Sequence, residues 1–245
     1  MKKIYIAFLC SFALLLCACS TKEAIIENNT SISENEFDEF EEEFEQYEIN
    51  DPLAGYNKMM TSFNVALYTY AFRPVLKGYE YVAPKPIRTG VRNFFSNLLG
   101  PLRIISQTLQ FKFDKASDEI KRFLANTILG LGGIFDSATD MKIPKHPGDI
   151  GTAFASWGIK SGFHIVLPIL GPSNLRDLIA LPFDWYLSPT AYLDDVWLRW
   201  GISVYGYGNE LSFRTDEIDE IYYNTPNLYP FLRDAYEQSR IELSK

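Results

Sequence analysis

From Leu53 onward, apolar side chains recur with a helical period. Leu53, Tyr56, Met60, Phe63, Leu67 and Tyr70 keep one phase up to Pro74. Asp51 stands where an N-cap belongs, with Pro52 at the first helical position, where its missing N–H costs nothing. A second tract carries Val91, Phe94, Phe95, Leu98 and Leu99, is punctuated by Gly100-Pro101, and resumes with Leu102, Ile105 and Leu109. A third begins near Asp114 and carries Ile120, Phe123, Leu124 and Ile128 before Gly130, Gly132 and Gly133 stop it. Ile218, Ile221 and Tyr222 predict a short helix, and Pro230 opens a last one through Ile241. No segment alternates apolar and polar residues over a convincing strand length, and there is no internal repeat. The chain reads as mainly helical.

These helices are unusual for a water-soluble bundle. Uncharged runs recur over Met59–Phe72, Phe123–Phe135 and 161–175. The last, "SGFHIVLPILGPSNL", is too short to span a bilayer, which needs about 20 apolar residues. Pro168, Gly171 and Pro172 break it too often for an ordinary amphipathic helix. A buried strand, a core loop and a segment dipping into lipid all satisfy that pattern. Tyr and Trp crowd the region from Trp185 to Tyr207, including Trp197 and Trp200. Such amphipathic aromatics favour lipid interfaces, and they also fill ordinary cores.

The N-terminus sets the context. Lys2 and Lys3 precede the nearly all-apolar run Ile4–Leu16, which reads as a secretory signal. It ends in Leu16-Cys17-Ala18-Cys19, which resembles a bacterial lipobox; the alternative is an ordinary signal peptide with incidental cysteines. The resemblance implies cleavage after Ala18 and a covalent lipid, diacylglyceryl and N-acyl, on Cys19. Ser20 follows, where an aspartate would favour retention in the inner membrane. The three cysteines are Cys10, Cys17 and Cys19, so a mature chain beginning at Cys19 has no disulfide framework. Two or more acyl chains anchor a protein stably, each buried CH₂ contributing about 0.8 kcal/mol.

The net charge of −8 hides a division. Residues 23–57 hold twelve acids and no Lys or Arg, whereas 58–245 are nearly balanced and 73–122 hold ten bases against four acids. The sequence therefore divides into a signal peptide (1–18), a lipidated N-terminus with an acidic linker (19–50) and a body (51–245). The linker is a solvated spacer on its charge. Yet Phe37, Phe40, Phe44 and Tyr47 would share one face if it turned helical, and could dock on a basic partner or on the body's own basic half.

Catalytic chemistry is sparse. His146 and His164 are the only histidines, and no ligands sit at metal spacing. "GLGG" at 130–133 lacks the strand and acid of a dinucleotide site, and there is no G-x-S-x-G elbow. A lipase-like arrangement would have to draw on Ser161 or Ser173 with Asp177 and His164. The residues predict no enzyme, no metal and no cofactor beyond the covalent lipid. An acidic exported chain also does not suit nucleic acid.

Several blocks together resemble the MlaA/VacJ family of outer-membrane lipoproteins. They are "DPLAGYNKMMTSFN" from Asp51, "RPV" at Arg73, "NFFSNL" at Asn93, "RFLANTILGLGGIFD" from Arg122, and "WGIKSGFHIVLPILGPSNLRD" from Trp157. "LRDAYEQSR" near the C-terminus fits as well. "GDIGTAF" and "LQF" at Leu109–Phe111 depart from the family pattern. The resemblance implies an all-α, ring-like single domain of short amphipathic helices lying in one membrane leaflet, with Pro/Gly-broken re-entrant segments. It further implies an outer-membrane protein, lipid-anchored in the periplasmic leaflet and held by a trimeric porin. Such a protein passes mislocalised phospholipid from the outer leaflet through an amphipathic channel to a periplasmic lipid carrier, and performs no chemistry. A structural lipoprotein that braces a porin without moving lipid is the alternative. Channel or gate candidates are Phe63, Asn64, Gly158, Gly162, Leu167, Pro168, Leu170, Gly171 and Pro172. Gly158 and Gly162 supply φ freedom for either a mobile gate or a rigid turn. Arg176 and Asp177 are either a structural pair or a head-group contact.

Overall fold

The computed structural model describes residues 49–244. Helix α1 (Ala54–Leu67) runs through a π-helical turn (Tyr68–Phe72) into α2 (Arg73–Val82). Then come α3 (Lys85–Leu98), α4 (Gly100–Leu109), α5 (Phe113–Ile128), α6 (Ser137–Asp140) and α7 (Ile150–Ser156). A hairpin of β1 (His164–Leu167) and β2 (Gly171–Asn174) leads into α8 (Leu175–Leu187) and a 3₁₀ turn (Pro189–Tyr192). α9 (Val196–Leu211), α10 (Thr215–Asn224) and α11 (Leu228–Ser244) complete the chain. The fold is all-α apart from the hairpin. Packing closes a circuit: α2 meets α9, α9 meets α3, α3 meets α4, α4 meets α7, α7 meets α11, and α11 returns to α1. Among the described residues no helix is long and apolar enough to cross a membrane.

Three local expectations change. The first helix does not stop at Pro74. The Arg73 N–H reaches back to the Tyr68 carbonyl, and this wide turn absorbs the proline ring and its missing donor. Asp51 is not an N-cap either: α1 starts at Ala54 without a side-chain cap. The Asp51 carboxylate is instead drawn into tertiary bonds with Asn57, Tyr229 and Arg233. Finally, part of the broken apolar stretch is a β-hairpin, in register His164↔Asn174 to Leu167↔Gly171. Of the three readings open to that stretch, the strand holds in both halves, His164–Leu167 and Gly171–Asn174, with an exposed tip between them. Ile165 and Val166 favour extended backbone, and the burial alternates along β1.

The more consequential observation is which helix faces are buried. In α5 the buried positions are Ala116, Glu119, Arg122 and Asn126, while Ile120, Leu124 and Ile128 are 44%, 49% and 70% exposed. In α1 the buried residues are Asn57 and Thr61, and Tyr56, Met59 and Phe63 face outward. Trp197 on α9 is 86% exposed. Among the described residues, twenty-one polar or charged side chains are buried against ten hydrophobic ones. The apolar core is correspondingly small: Leu102, Ile150 and Ala180, packed by Ile105, Leu109, Phe154 and Leu187. A water-soluble domain buries these classes the other way round. An apolar patch of this extent marks a surface that meets lipid or protein.

Candidate functional site

The site is built around the hairpin and the polar face of α1. Asn57 and Asn64 are seven residues apart, so at about 100° per residue they lie within roughly 20° of one azimuth. Each carries an amide, which mimics a peptide group with one acceptor and two donors. The Val166 N–H donates to Asn57 Oδ1 at 2.8 Å, and Asn57 Nδ2 donates to the His164 carbonyl at 3.1 Å. Asn64 Nδ2 donates to the Leu167 carbonyl at 2.9 Å and its Oδ1 accepts the Ile169 N–H at 2.7 Å. Two side chains thus do for the open edge of β1 what a third strand would do. The second pair holds the hairpin tip, where Ile169 sits at φ 70°. A β-branched residue in the left-handed region costs on the order of 1–3 kcal/mol and persists only where its surroundings hold it.

Beneath the hairpin lies a buried polar floor. His164 Nδ1 is 3.0 Å from Glu237 Oε1, and Asn174 Nδ2 donates to Glu237 Oε2 at 3.2 Å. Asn174 also caps α8 through the Asp177 N–H at 2.9 Å. Asp177 then receives Arg176 at 3.0 Å, Tyr236 Oη at 2.7 Å and Arg240 at 3.0 Å. Arg240 forks onto both oxygens of Asp149, at 2.7 and 2.8 Å. Burial pushes the Asp149 carboxyl up, but the Arg240 bonds and charge outweigh it and leave the pKa below its ordinary value. Asp184, which accepts the Ile150 N–H at 2.8 Å, is pushed up to about 6 by burial, against that hydrogen bond and with the neighbouring Asp149 charge adding to the rise. Gly151 lets α7 approach this cluster, because a Cβ there would lie 2.3 Å from Asp177 Oδ1 and 2.6 Å from an Arg240 nitrogen.

Two cavities open beside this frame. One, of about 180 Å³, lies between α1, the hairpin and α9–α11, with Asn64, Tyr68, Leu170, Gly171 and Pro172 in its wall. The other, of about 770 Å³, lies among α3, α4, the strap 145–148 and α9. Tyr207 lines both. Of the residues singled out in the sequence, Asn64, Leu167, Pro168, Leu170, Gly171 and Pro172 come together at the hairpin. Phe63 does not join them; it points outward, 42% exposed. Gly158 is exposed at φ 83° with open space around it, whereas Gly162, at φ 76°, is packed so that a Cβ would lie 2.9 Å from Leu175 Cβ. Arg176 and Asp177 are buried in the floor. Ser161, Ser173, His164 and Asp177 serve the hairpin and its floor: Ser161 accepts the Arg176 N–H, Ser173 pairs with Ile165, and His164 faces Glu237. Cys19 and the acidic linker to Glu48 lie outside the described residues. Among the described residues no group of three His, Cys, Asp or Glu is placed to hold a metal.

Asn57, the Asp149–Arg240 fork and the cavity-lining Lys145 are not among the residues singled out from the sequence. The seven-residue spacing of Asn57 and Asn64 was the available signal for the first. Nothing local marks the others, because their partners lie far away in sequence.

Comparison with known proteins gives this architecture a family. Residues 49–242 match the family described as MlaA lipoprotein. The chain is 32% identical over 197 residues to the intermembrane phospholipid transport system lipoprotein MlaA of Escherichia coli (strain K12), covering 77% of this chain and 76% of that one. It is 30% identical over 200 residues to the protein of the same name from Haemophilus influenzae, covering 78% and 77%. An uncharacterized protein of Rickettsia prowazekii is 32% identical over 155 residues, 61% of this chain and 62% of its own length. A solved structure described as the structural basis for maintenance of bacterial outer membrane lipid asymmetry superposes with a TM-score of 0.72 at 28% identity, over 80% of this chain and all of that one. The polar-cored helical circuit described above thus has a solved relative, and the chain belongs to the MlaA lipoprotein family.

Proposed function

We propose that this protein removes phospholipid from the outer leaflet of the outer membrane and passes it to a periplasmic lipid carrier. It sits in the periplasmic leaflet, anchored through lipid on Cys19 and held by a trimeric porin. The observation that carries this reading is the inverted burial: polar side chains buried between the packed elements and a broad apolar exterior. An apolar exterior suits acyl chains, since burying apolar surface away from water contributes about 25 cal/mol per Å². A head group needs polar partners that the bilayer core lacks, and Arg92, Asn93, Ser96, Arg103 and Lys145 line the larger cavity. The hairpin, held by Asn57 and Asn64, stands at the wall of the smaller cavity and acts as the element that shapes the passage. The reading assigns no catalytic step to any residue.

The test is surface phospholipid in cells with and without the protein, measured by a head-group reagent that does not cross the membrane. Loss of the protein should raise outer-leaflet phospholipid, and re-expression should lower it. Unchanged surface phospholipid, combined with weakened porin recovery or assembly, would favour a porin brace that moves no lipid.

A further inference from the structure

The larger cavity holds an arrangement of cations that the hairpin does not involve. Its wall includes Arg92, Ser96 and Phe95 from α3, Arg103 from α4, and Lys145 from the strap. The strap is pinned from behind: Glu119 accepts the His146 N–H at 2.6 Å, and Gln107 donates to the Pro147 carbonyl at 2.9 Å. Lys145 is therefore held in place. Its ammonium donates to Ser96 Oγ at 2.7 Å. An ammonium has three donors, and among the described residues Lys145 has no carboxylate partner. The nearest carboxylates are already engaged. Glu119 is paired with Arg103 at 2.6 Å, and Asp136 takes Arg122 at 2.8 Å and Asn126 at 3.0 Å. Glu210 also lines the cavity, so the lining carries three cations against two acids.

Arg92 lies four residues before Ser96 on α3, hence on the same helix face. Its guanidinium stacks over the Phe213 ring at 4.2 Å. Stacking engages the face of the group and leaves its N–H edge for an anion. Among the described residues Arg92 too lacks a carboxylate partner. Leu98, Leu99 and Leu102 form an apolar wall in the same cavity. At about 770 Å³ the space falls within the roughly 300–1,000 Å³ of small-molecule sites.

We propose that Lys145, Arg92 and Ser96 form a binding site for a phosphate group inside the larger cavity, the phosphate being that of a phospholipid whose apolar part lies on Leu98, Leu99 and Leu102. The lipid as source rests on the transport reading above; the phosphate chemistry rests on the cation geometry alone. Burial, and then the Arg103 charge, pull the Lys145 pKa down. An arriving anion would relieve that cost, and a charge-assisted hydrogen bond in a partly dry site is stronger than a neutral one. The site would grip any phosphodiester and discriminate little among head groups beyond it.

The test uses the full chain purified in detergent, with dihexanoylphosphatidylglycerol, dihexanoylglycerol, which lacks the phosphate, and inorganic phosphate as separate probes, read by titration calorimetry. Wild type should bind the phospholipid in preference to the diacylglycerol. Lys145→Met and Arg92→Gln should each weaken phospholipid binding by about tenfold or more, the scale of a lost charge-assisted hydrogen bond, and leave the diacylglycerol unaffected. Lys145→Arg should restore much of the loss, and Lys121→Gln, on an exposed lysine paired with Asp118, should change nothing. Inorganic phosphate that binds through Lys145 when the phospholipid does not would overturn the lipid assignment. Phospholipid affinity unchanged in both Lys145→Met and Arg92→Gln would overturn the site itself. The surface-phospholipid assay is independent of this titration, so a failed site with intact transport and a real site without transport give different pairs of results.

Discussion

Replacing Asn57 by leucine isolates the strand-edge role of α1. Asn57 is fully buried, and its amide serves the Val166 N–H, the His164 carbonyl and Asp51 Oδ1. Leucine keeps an apolar body of similar size and removes every polar atom. The Val166 N–H and His164 carbonyl then face a hydrocarbon, and an unsatisfied buried polar group costs about 1–3 kcal/mol. The two together destabilise the closed hairpin by roughly 2–6 kcal/mol, because water cannot reach them without opening the contact. A tenfold change in an equilibrium is about 1.4 kcal/mol, so even the lower figure raises local opening about 30-fold. Amide hydrogen exchange of the detergent-solubilised protein reads this directly, since exchange reports local opening element by element. Exchange at Val166 should accelerate by that factor, while Asn126 on α5, outside the clamp, should not change. Asn64→Leu should accelerate exchange at Ile169 by less, because that contact is solvent-exposed and water can replace the lost amide. Exchange at Val166 within about threefold of wild type would refute the claim that α1 side chains complete the sheet edge.

Asp184, raised to about 6 in the folded protein, predicts a pH dependence. A carboxyl whose folded pKa is raised contributes stability that is full below its unfolded value near 3.9 and lost as pH rises through 6. Asp184→Asn should therefore unfold later than wild type at pH 7.5, by on the order of 1–3 kcal/mol, with the gap closing below pH 4; an equal gap at both pH values would contradict it. Gly151→Ala places a Cβ against Asp177 and Arg240 and should lower stability by about 1–3 kcal/mol. Gly78→Ala, in open space within α2, should raise it by up to about 1 kcal/mol; thermal melts of the pair check the contrast. Cys19→Ala should yield a chain without acyl groups by intact mass and unable to restore lipid asymmetry, and a lipidated product would remove the lipobox reading.

How much of this was legible beforehand differs from element to element. Several helices were, because a 3.6-residue period is a local property: Gly100-Pro101 does separate α3 from α4, and α11 does open around Pro230, whereas α7, α8 and α9 were not marked by any such period. The family blocks were legible too, since they lie within short stretches of chain. The direction in which each apolar stripe points was not. Ile120, Leu124 and Ile128 share a face in any α-helix, and nothing in their spacing says whether that face meets a core or a lipid. Only the surrounding helices, which bury Glu119, Arg122 and Asn126 with their partners Arg103 and Asp136, decide it. The hairpin is another tertiary decision. Two short strands cannot hold an open edge alone, and their third partner is a helix more than a hundred residues earlier, supplying side-chain amides. Asp51 has the local credentials of a cap and is claimed instead by Tyr229 and Arg233 at the far end of the chain. Sequence determined the local period and the chemistry available; packing alone determined which polar groups met, because satisfying a buried charge requires a partner that no local pattern specifies.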